Sequence, residues 1–262
     1  MANNFELIPA FYLAIPFFFF LIFINWLGYR FKVRYVKRFP GIDHVGIGPT
    51  EGSLLGLTAL LLSFTFGMSA TKYELRRQHL ISEVTEIETT ILRSDLYPDT
   101  ARNLIRADLK NYLEKRIEYY TVGDREDLIV KSLYQSDSIS EIIWKRVALL
   151  SQNQNNWVAT EQMVPAVTSM IDIAVTREGG RKAMVPGLVL VVLSSLILVS
   201  AFLSGYGSKN LERNNVLVIA FAFITTVALY LVIDLDRPRQ GFVNLNDAQN
   251  LLVNLRRYFA ED

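Results

Sequence analysis

The chain has 262 residues, of which 51% are hydrophobic and 20% are charged, and its 27 Lys and Arg nearly balance its 26 Asp and Glu. The lack of a basic excess argues against a nucleic-acid partner, and the high hydrophobic content argues against disorder. The absence of cysteine excludes disulfides, thiolate nucleophiles and cysteine-ligated metals. A mean hydropathy of +0.23 beside this many charges requires apolar and charged residues to be segregated along the chain.

Four uncharged, mostly apolar stretches predict four transmembrane helices. They are residues 7–29, 52–71, 183–208 and 214–233. Each has at least 20 residues, which is the length that a helix needs to cross a hydrocarbon layer about 30 Å thick. The first stretch lacks the basic start and the small-residue cleavage site of a signal peptide, so we expect a retained helix. Its aromatic end at Trp26 and Tyr29, followed by a basic segment, is typical of an interfacial anchor.

Residues 72–182, between the second and third spans, are charged and predict only helices. The first of these helices continues directly from the second span and ends near Tyr97-Pro98, because proline disfavours a helical residue before it. The next helix is predicted over residues 101–120, with a cap at Asp99 or Thr100, and a shorter one over residues 125–134. A long helix is predicted over residues 141–176. Ser138 or Ser140 would open it, Pro165 would kink it and Gly179-Gly180 would end it.

A charged turn follows the fourth span, and a short amphipathic helix begins near Asp247. The apolar side of this helix is predicted to carry Leu251, Leu252, Leu255 and Phe259. The sequence therefore predicts an all-α membrane protein with a helical soluble domain inserted between transmembrane helices 2 and 3. The predicted parts are residues 1–71 with helices 1 and 2, residues 72–182 with the soluble domain, residues 183–233 with helices 3 and 4, and residues 234–262 with the turn and the last helix.

The second span carries two stripes of residues with helical spacing. Small residues recur every three or four positions, at Gly52, Gly56, Ala59, Ser63, Gly67 and Ala70. Such a stripe lets another helix approach closely in a bilayer. About 100° around the helix lie Leu60, Phe64 and Met68. These bulky residues either face lipid or another helix, which the pattern alone favours, or they form the hydrophobic constriction of a pore built from identical subunits.

Two groups of acidic residues lie beside the predicted membrane surface. Glu83, with Glu86 and Glu88, follows the second span, and we interpret this group as a solvated helix face rather than as a cation site or an acidic ring lining a pore. Asp234 and Asp236 end the fourth span, where we favour a structural junction over a cation site, because two carboxylates are too few to argue for Ca²⁺ or Mg²⁺.

The sequence contains no signature of catalysis. A P-loop, a Gly-x-Gly-x-x-Gly run, a nucleophile elbow and a His-Glu-x-x-His motif are all absent, and there are only two histidines. We therefore expect neither an enzyme, nor a cofactor, nor a metal site.

Four segments together resemble the bestrophin-like membrane family. They read GSLLGLTALLLSFTFGMSATKYELRRQHLISEV from Gly52, then TSMIDIAVTREGGRKAMVP, SGYG and LVIDLDRPRQGF. This family is distantly similar to bestrophins, which form pentameric anion channels. The resemblance implies that the second span lines the pore, that Leu60, Phe64 and Met68 form its neck, and that the matching Arg76 follows the neck. Arg239 stands where bestrophins have Phe, and no acidic run follows, which argues against a bestrophin-type calcium clasp.

The leading hypothesis is therefore a homo-oligomeric, pentameric, bestrophin-like ion channel, with anion conduction implied by the resemblance alone. Its expected partners are membrane lipid, other copies of the chain and permeant small ions, without nucleic acid. The expected location is the inner cell membrane. Lys and Arg are divided almost evenly between the two sides, so only the resemblance implies that the soluble domain is cytoplasmic. The alternative is a non-conducting membrane scaffold or regulator that docks a partner protein through its helical domain.

Overall fold

The structure, a computed structural model, describes residues 10–39, 48–123, 125–208, 214–237 and 241–260. Eight α-helices account for most of these residues, and no strand occurs among them. The helices are α1 Ala10–Arg38, α2 Gly48–Ser94, α3 Asp99–Thr121, α4 Glu126–Leu150, α5 Trp157–Lys182, α6 Gly187–Tyr206, α7 Asn215–Asp236 and α8 Asn246–Asn254. Short 3₁₀ helices occupy Gln154–Asn156 and Leu255–Phe259.

Four helical segments are long and apolar enough to cross a membrane, which confirms the predicted all-α membrane fold. They are Phe11–Arg38, Gly48–Ser94, Gln154–Tyr206 and Asn215–Asp236. The third segment combines α5 and α6, and its apolar part is α6, which contains no charged residue. The start of the first predicted span, residues 7–9, lies outside the described residues.

The chain divides into two compact units. The membrane unit comprises Met1–Lys72 and Met184–Val243, and the helical unit comprises Tyr73–Ala183 and Asn244–Asp262. Helix α2 has 47 residues and contributes to both, because no Gly or Pro interrupts it after Gly67. The helix ends at Ser94, before Pro98, as predicted from the sequence.

In the membrane unit, α1 packs against α6 and α7 around a small apolar core. That core contains Leu21, Leu193, Ile197, Ala201, Ala222 and Leu229. Helices α1 and α6 cross closely at Gly28 and Gly205, since a Cβ atom on Gly205 would lie 2.0 Å from the carbonyl oxygen of Asn25. The side chain of Asn25 is buried there and donates a hydrogen bond to the carbonyl of Ala201 at 3.1 Å.

The helical unit has a separate apolar core, formed by the C-terminal part of α2 with α3, α4 and α5. Its most buried members include Ile87, Ile91, Ile105, Leu109, Leu113, Ile143, Val147, Met163, Val167 and Met170. Helix α8 and the 3₁₀ helix that follows it pack on α3 and add Leu252, Leu255 and Phe259, as the amphipathic pattern predicted. Leu251 was wrongly placed on this apolar side, because it is exposed.

The predicted break between residues 134 and 141 is wrong, because α4 is continuous from Glu126 to Leu150. Ser138 and Ser140 lie inside the helix, and their hydroxyls donate hydrogen bonds to carbonyls of the preceding turn. The chain breaks instead over residues 151–156, which read Ser-Gln-Asn-Gln-Asn-Asn. There the side chain of Asn153 accepts a hydrogen bond from the backbone N–H of Asn155 at 3.0 Å.

Two other predicted helix ends are also wrong. Asp99 and Thr100 lie inside α3, whose N-cap position is Pro98, and no side chain caps this end. Helix α5 runs through Pro165 and Gly179-Gly180 to Lys182, because the first helix-breaking proline beyond it is Pro186.

Candidate functional site

Three sides of the membrane part of α2 have different surroundings. One side is buried within the membrane unit and carries the hydroxyl residues Thr58, Thr65 and Ser69. The hydroxyl of Thr58 lies 3.0 Å from that of Ser200 on α6, and the hydroxyl of Thr65 donates to the carbonyl of Leu61 at 2.7 Å. The Thr65 bond lies within α2, whereas the Thr58–Ser200 contact joins this buried side to α6 of the same subunit.

The three bulky residues lie on a second side of α2 and are exposed in the subunit. The exposed fractions are 53% for Leu60, 63% for Phe64 and 39% for Met68. Because they recur every four residues, they form a continuous apolar strip about 12 Å long. Apolar side chains exposed on one subunit of a membrane protein are available to lipid, to another subunit or to a pore.

The small-residue stripe occupies a third side of α2. Gly52, Gly56, Ala59, Ser63 and Gly67 are exposed, and Ala70 is half-buried. A Cβ atom on Gly52, Gly56 or Gly67 would meet nothing within 4 Å, so among the described residues no helix of the same subunit packs closely on these three glycines. The close helix crossing inside the subunit uses Gly28 and Gly205 instead, which the sequence analysis did not single out.

Asp234 and Asp236 are buried and accept hydrogen bonds from backbone N–H groups. The carboxylate of Asp234 accepts from Phe242 at 3.2 Å and from Val243 at 3.0 Å. A Cβ atom on Gly241 would lie 2.6 Å from this carboxylate, which explains why a glycine stands in the turn. Asp236 accepts from the backbone N–H of Val185 at 3.1 and 3.0 Å through its two oxygens. Both carboxylates thus hold chain turns at the ends of α6 and α7.

No group of three or more His, Asp or Glu side chains that could hold a metal ion occurs in the described part of the chain. Residues 238–240, which include the Arg239 that departs from the bestrophin pattern, lie outside the described residues. Asp234 and Asp236 have backbone partners for their carboxylates, which is the geometry of a structural junction.

The interpretation of Glu83 as part of a solvated helix face is wrong, because its side chain is completely buried. Its carboxylate is held between two buried arginines, accepting a hydrogen bond from Arg116 Nε on α3 and pairing with Arg177 on α5. The two guanidiniums also lie over tyrosine rings, with Arg116 at 5.0 Å from the centroid of Tyr119 and Arg177 at 3.8 Å from that of Tyr120. We call Glu83, Arg116 and Arg177 the buried charge cluster.

Burial and neighbouring charges shift the pKa values of the buried charge cluster in opposite directions. Burial raises the pKa of the Glu83 carboxyl, and the charge and hydrogen bond of Arg116 oppose that rise. Burial also acts to lower the pKa of Arg116, but the neighbouring Glu83 and Tyr112 outweigh it and the net shift is upward. The cluster joins α2, α3 and α5, and its lack of solvent contact excludes Glu83 from an acidic ring lining a pore.

Arg76, which the family resemblance singled out, binds the end of α5. Its Nε donates to the carbonyl of Gly180 at 3.1 Å, and another guanidinium nitrogen donates to the carbonyl of Ala183 at 2.8 Å. A cation at this position satisfies the last carbonyls of the helix and complements the negative end of its dipole. The motif residue therefore has a structural partner inside the helical unit.

Together these features define an α-helical membrane protein whose second helix has a bulky apolar side unpacked within the described subunit. A model of the Bestrophin-like domain matches residues 47–250, so the chain belongs to the Bestrophin-like family. This match confirms the resemblance found in the sequence. No curated protein sequence matches the chain.

Solved structures share the fold at low sequence identity. A variant of a bacterial Bestrophin homolog from Klebsiella pneumoniae superposes with a TM-score of 0.72 at 13% identity, covering 94% of this chain and 99% of that one. A crystal structure of the same homolog phased with zinc gives a TM-score of 0.70 at 13% identity, covering 92% and 97%. At this identity the likeness establishes the fold.

Proposed function

We propose that the chain forms a homo-oligomeric, pentameric ion channel in which α2 of each subunit lines the pore. The observation that carries this proposal is the division of α2 into three sides. The hydroxyl side is occupied by the subunit itself, and the stripe of small residues suits the close approach of a neighbouring α2. The remaining side, with Leu60, Phe64 and Met68, then faces the central axis.

The three bulky residues form the neck of the proposed pore. A ring of apolar side chains from several subunits disfavours continuous water, so ions pass only when the neck widens or wets. Leu60, Phe64 and Met68 follow one another along α2, so the neck has three successive rings. This arrangement assigns the chain a transport role without a catalytic step.

Anion preference is the finer part of the proposal and comes from the family. An acidic ring that contained Glu83 would favour cations instead. The burial of Glu83 between Arg116 and Arg177 removes that argument. We further propose that the protein resides in the inner cell membrane as a multi-pass protein with its helical unit in the cytoplasm.

The test is ion flux into liposomes that contain the purified protein. The triple variant L60A/F64A/M68A widens the neck, so we expect anion flux to rise by about tenfold or more over the wild type. Phe66 supplies a matched control, since it lies two residues from Phe64, is also exposed and points to another side of α2. F66A should leave flux within about twofold of the wild type.

Two results would overturn the proposal. If neither the wild type nor L60A/F64A/M68A passes any anion or cation, the chain is not a channel. If F66A raises flux as much as the triple variant, the neck is assigned to the wrong side of α2.

A non-conducting scaffold is the second candidate function. It is favoured by apolar side chains exposed near the α4–α5 connection of the helical unit, where Leu149, Trp157 and Val158 are each about two-thirds exposed or more. Exposed patches of this kind mark protein contacts. A monomer or dimer in detergent would favour the scaffold, because one helix from each of two subunits cannot enclose a pore.

A further inference from the structure

The last third of α1 carries a strong positive charge with no acidic residue beside it in the sequence. Arg30, Lys32, Arg34, Lys37 and Arg38 fall within nine positions, and no Asp or Glu occurs over residues 7–42. The side chains of Arg30, Arg34, Lys37 and Arg38 are exposed, and among the described residues none of them forms an ion pair. This part of α1 therefore presents positive charge that no ion pair among the described residues neutralises.

The basic residues continue an apolar ladder on one side of the helix. Phe19, Phe23, Trp26, Arg30, Arg34 and Lys37 follow one another at spacings of four, three, four, four and three. Phe23 stacks on Trp26 with ring centroids 5.8 Å apart, and the Arg30 guanidinium lies 4.9 Å from the centroid of Trp26. The three aromatic side chains are exposed, so the ladder has an apolar half and a cationic half. We call these six residues the α1 ladder.

The opposite side of α1 is fixed against the rest of the membrane unit. Leu21, Asn25 and Gly28 are buried, and the Lys32 ammonium donates to the carbonyl of Ser208 beyond the end of α6. Phe31 also meets Phe202 edge to face, with centroids 5.9 Å apart. The packing of α1 on α6 consequently leaves the α1 ladder on the exposed side of the subunit.

The dimensions of the ladder match half of a bilayer. At 1.5 Å per residue, Phe19 and Arg30 are about 16 Å apart along the helix, and one leaflet of a hydrocarbon core is about 15 Å thick. An amphiphile lying along the ladder would place its chains on Phe19 and Phe23 and its headgroup at Arg30, Arg34 and Lys37. Three cations that form no ion pair within the described part of the chain select a negative headgroup.

We propose that the α1 ladder is a binding site for an anionic phospholipid. The phosphate contacts Arg30, Arg34 and Lys37, Trp26 lies at the boundary between headgroup and chains, and the acyl chains pack on Phe19 and Phe23. This assignment concerns the outward side of α1 and does not depend on whether the oligomer conducts ions. Charge near a membrane surface attracts anionic lipid by a factor of about five per basic residue.

Trp26 supplies the experimental readout. The chain has three tryptophans, and the other two, Trp144 and Trp157, lie in the helical unit, so W144F/W157F leaves Trp26 as the only indole. This protein is reconstituted in phosphatidylcholine bilayers that contain brominated phosphatidylglycerol or brominated phosphatidylcholine at equal fractions. We expect the brominated anionic lipid to bind beside Trp26 at least about fivefold more strongly.

A variant that lacks the charge of the α1 ladder is then compared with a variant that lacks three charges in the helical unit. R30Q/R34Q/K37Q should bring the preference for the anionic lipid to about one. K110Q/R125Q/K131Q removes three exposed charges from the helical unit and should keep the preference of the parent protein. The charge-preserving variant R30K/R34K/K37R should also keep it, which separates a requirement for charge from a defect of folding.

Further measurements on the W144F/W157F protein test the proposal even if R30Q/R34Q/K37Q does not fold. Raising the salt concentration from about 0.05 M to about 0.5 M should weaken the preference, because salt screens exposed charges. Glycerol phosphate at about 10 mM should leave the preference for the anionic lipid unchanged. Loss of that preference would mean that the site binds a soluble phosphate instead of a lipid and would overturn the proposal. Equal quenching by the two brominated lipids, or an unchanged preference in R30Q/R34Q/K37Q, would overturn the proposal.

Discussion

The two units bury different sets of polar groups. Along its spans the membrane unit buries neutral side chains, namely Asn25, Thr58, Thr65, Ser69, Ser200, Thr225 and Thr226, and its buried acids, Asp234 and Asp236, lie at the end of α7 with backbone N–H partners. The helical unit also buries neutral hydroxyls, but its interior surrounds the charged Glu83, Arg116 and Arg177. The membrane unit exposes rows of Phe, Leu and Val, whereas the helical unit keeps a larger apolar core.

This difference follows from the medium that each unit is built for. In a bilayer there is little hydrophobic force between helices, so small residues and hydroxyls bring helices together while large apolar side chains face lipid. In water a large apolar core drives folding, and that core can surround an ion pair if the pair is fully matched. The two interiors therefore depend on different residues, and substitutions should affect them by different mechanisms.

The largest expected effect is on the buried charge cluster. E83Q leaves two buried guanidiniums without their carboxylate, which should reduce the free energy of unfolding by about 3–5 kcal/mol. Hydrogen–deuterium exchange should show the loss of protection in α3 and α5, whose arginines bind Glu83. The matched control is E86Q, three residues further along the same helix and half-buried, which should change stability by less than about 0.5 kcal/mol.

The triple replacement E83L/R116M/R177M sharpens this test. It removes all three charges together and fills the space with apolar side chains, so it should be closer to the wild type in stability than E83Q is. If E83Q unfolds at the same temperature as the wild type, the cluster does not hold the three helices together.

A smaller effect is expected at the helix crossing of the membrane unit. In G205A the new methyl group would lie 2.0 Å from the backbone oxygen of Asn25, which cannot move away as a flexible side chain can. We expect α1 and α6 to separate, with a loss of about 1–3 kcal/mol in thermal unfolding measured in detergent. G187A, where the methyl group meets nothing within 4 Å, is the control on the same helix. Equal unfolding temperatures for the two variants would contradict the close contact of α1 and α6 at Gly205.

The smallest expected effect is a pH dependence in the helical unit. Burial acts to raise the pKa of Glu178, but hydrogen bonds from Arg181, Tyr119 and Lys182 outweigh it and the net shift is downward. A carboxyl whose folded pKa is depressed stabilises the fold above its unfolded pKa and loses that contribution as the pH falls through the folded value. E178Q should therefore cost about 1–2 kcal/mol at pH 7 and clearly less near pH 3.

Thermal unfolding of E178Q and the wild type at several pH values checks this sign. E141Q is the control, since Glu141 is exposed and its contact with Lys145 is 3.4 Å long. A difference between E178Q and the wild type that stays the same from pH 7 to pH 3 would contradict the assigned direction.

The sequence was sufficient for features that depend on local composition. The uncharged stretches predicted four transmembrane helices, and Pro98 predicted the end of α2, because both effects act within a few residues. The break between α4 and α5 was misplaced, because Ser138 and Ser140 can cap a helix or bond back within one, and only the packing of α4 decides between these uses.

Contacts between distant segments were not predictable from the sequence. Glu83 reads as one of several acids on a charged helix, and its partners lie 33 and 94 positions further along the chain. Gly28 and Gly205 are single glycines in apolar helices, whereas a Cβ atom on the glycines of the conspicuous α2 stripe would meet no described residue within 4 Å. The repeated pattern thus marked a side of α2 that is exposed in the subunit, whereas the helix crossing inside the subunit uses residues that show no repeated pattern.

The most direct test of the central claim is an electron cryo-microscopy structure of the purified protein in lipid nanodiscs, viewed down its symmetry axis. The account predicts five subunits, with Leu60, Phe64 and Met68 of each α2 facing the axis and the small-residue stripe against the neighbouring α2. A monomer or dimer, or a ring in which Leu60, Phe64 and Met68 face lipid, would contradict it.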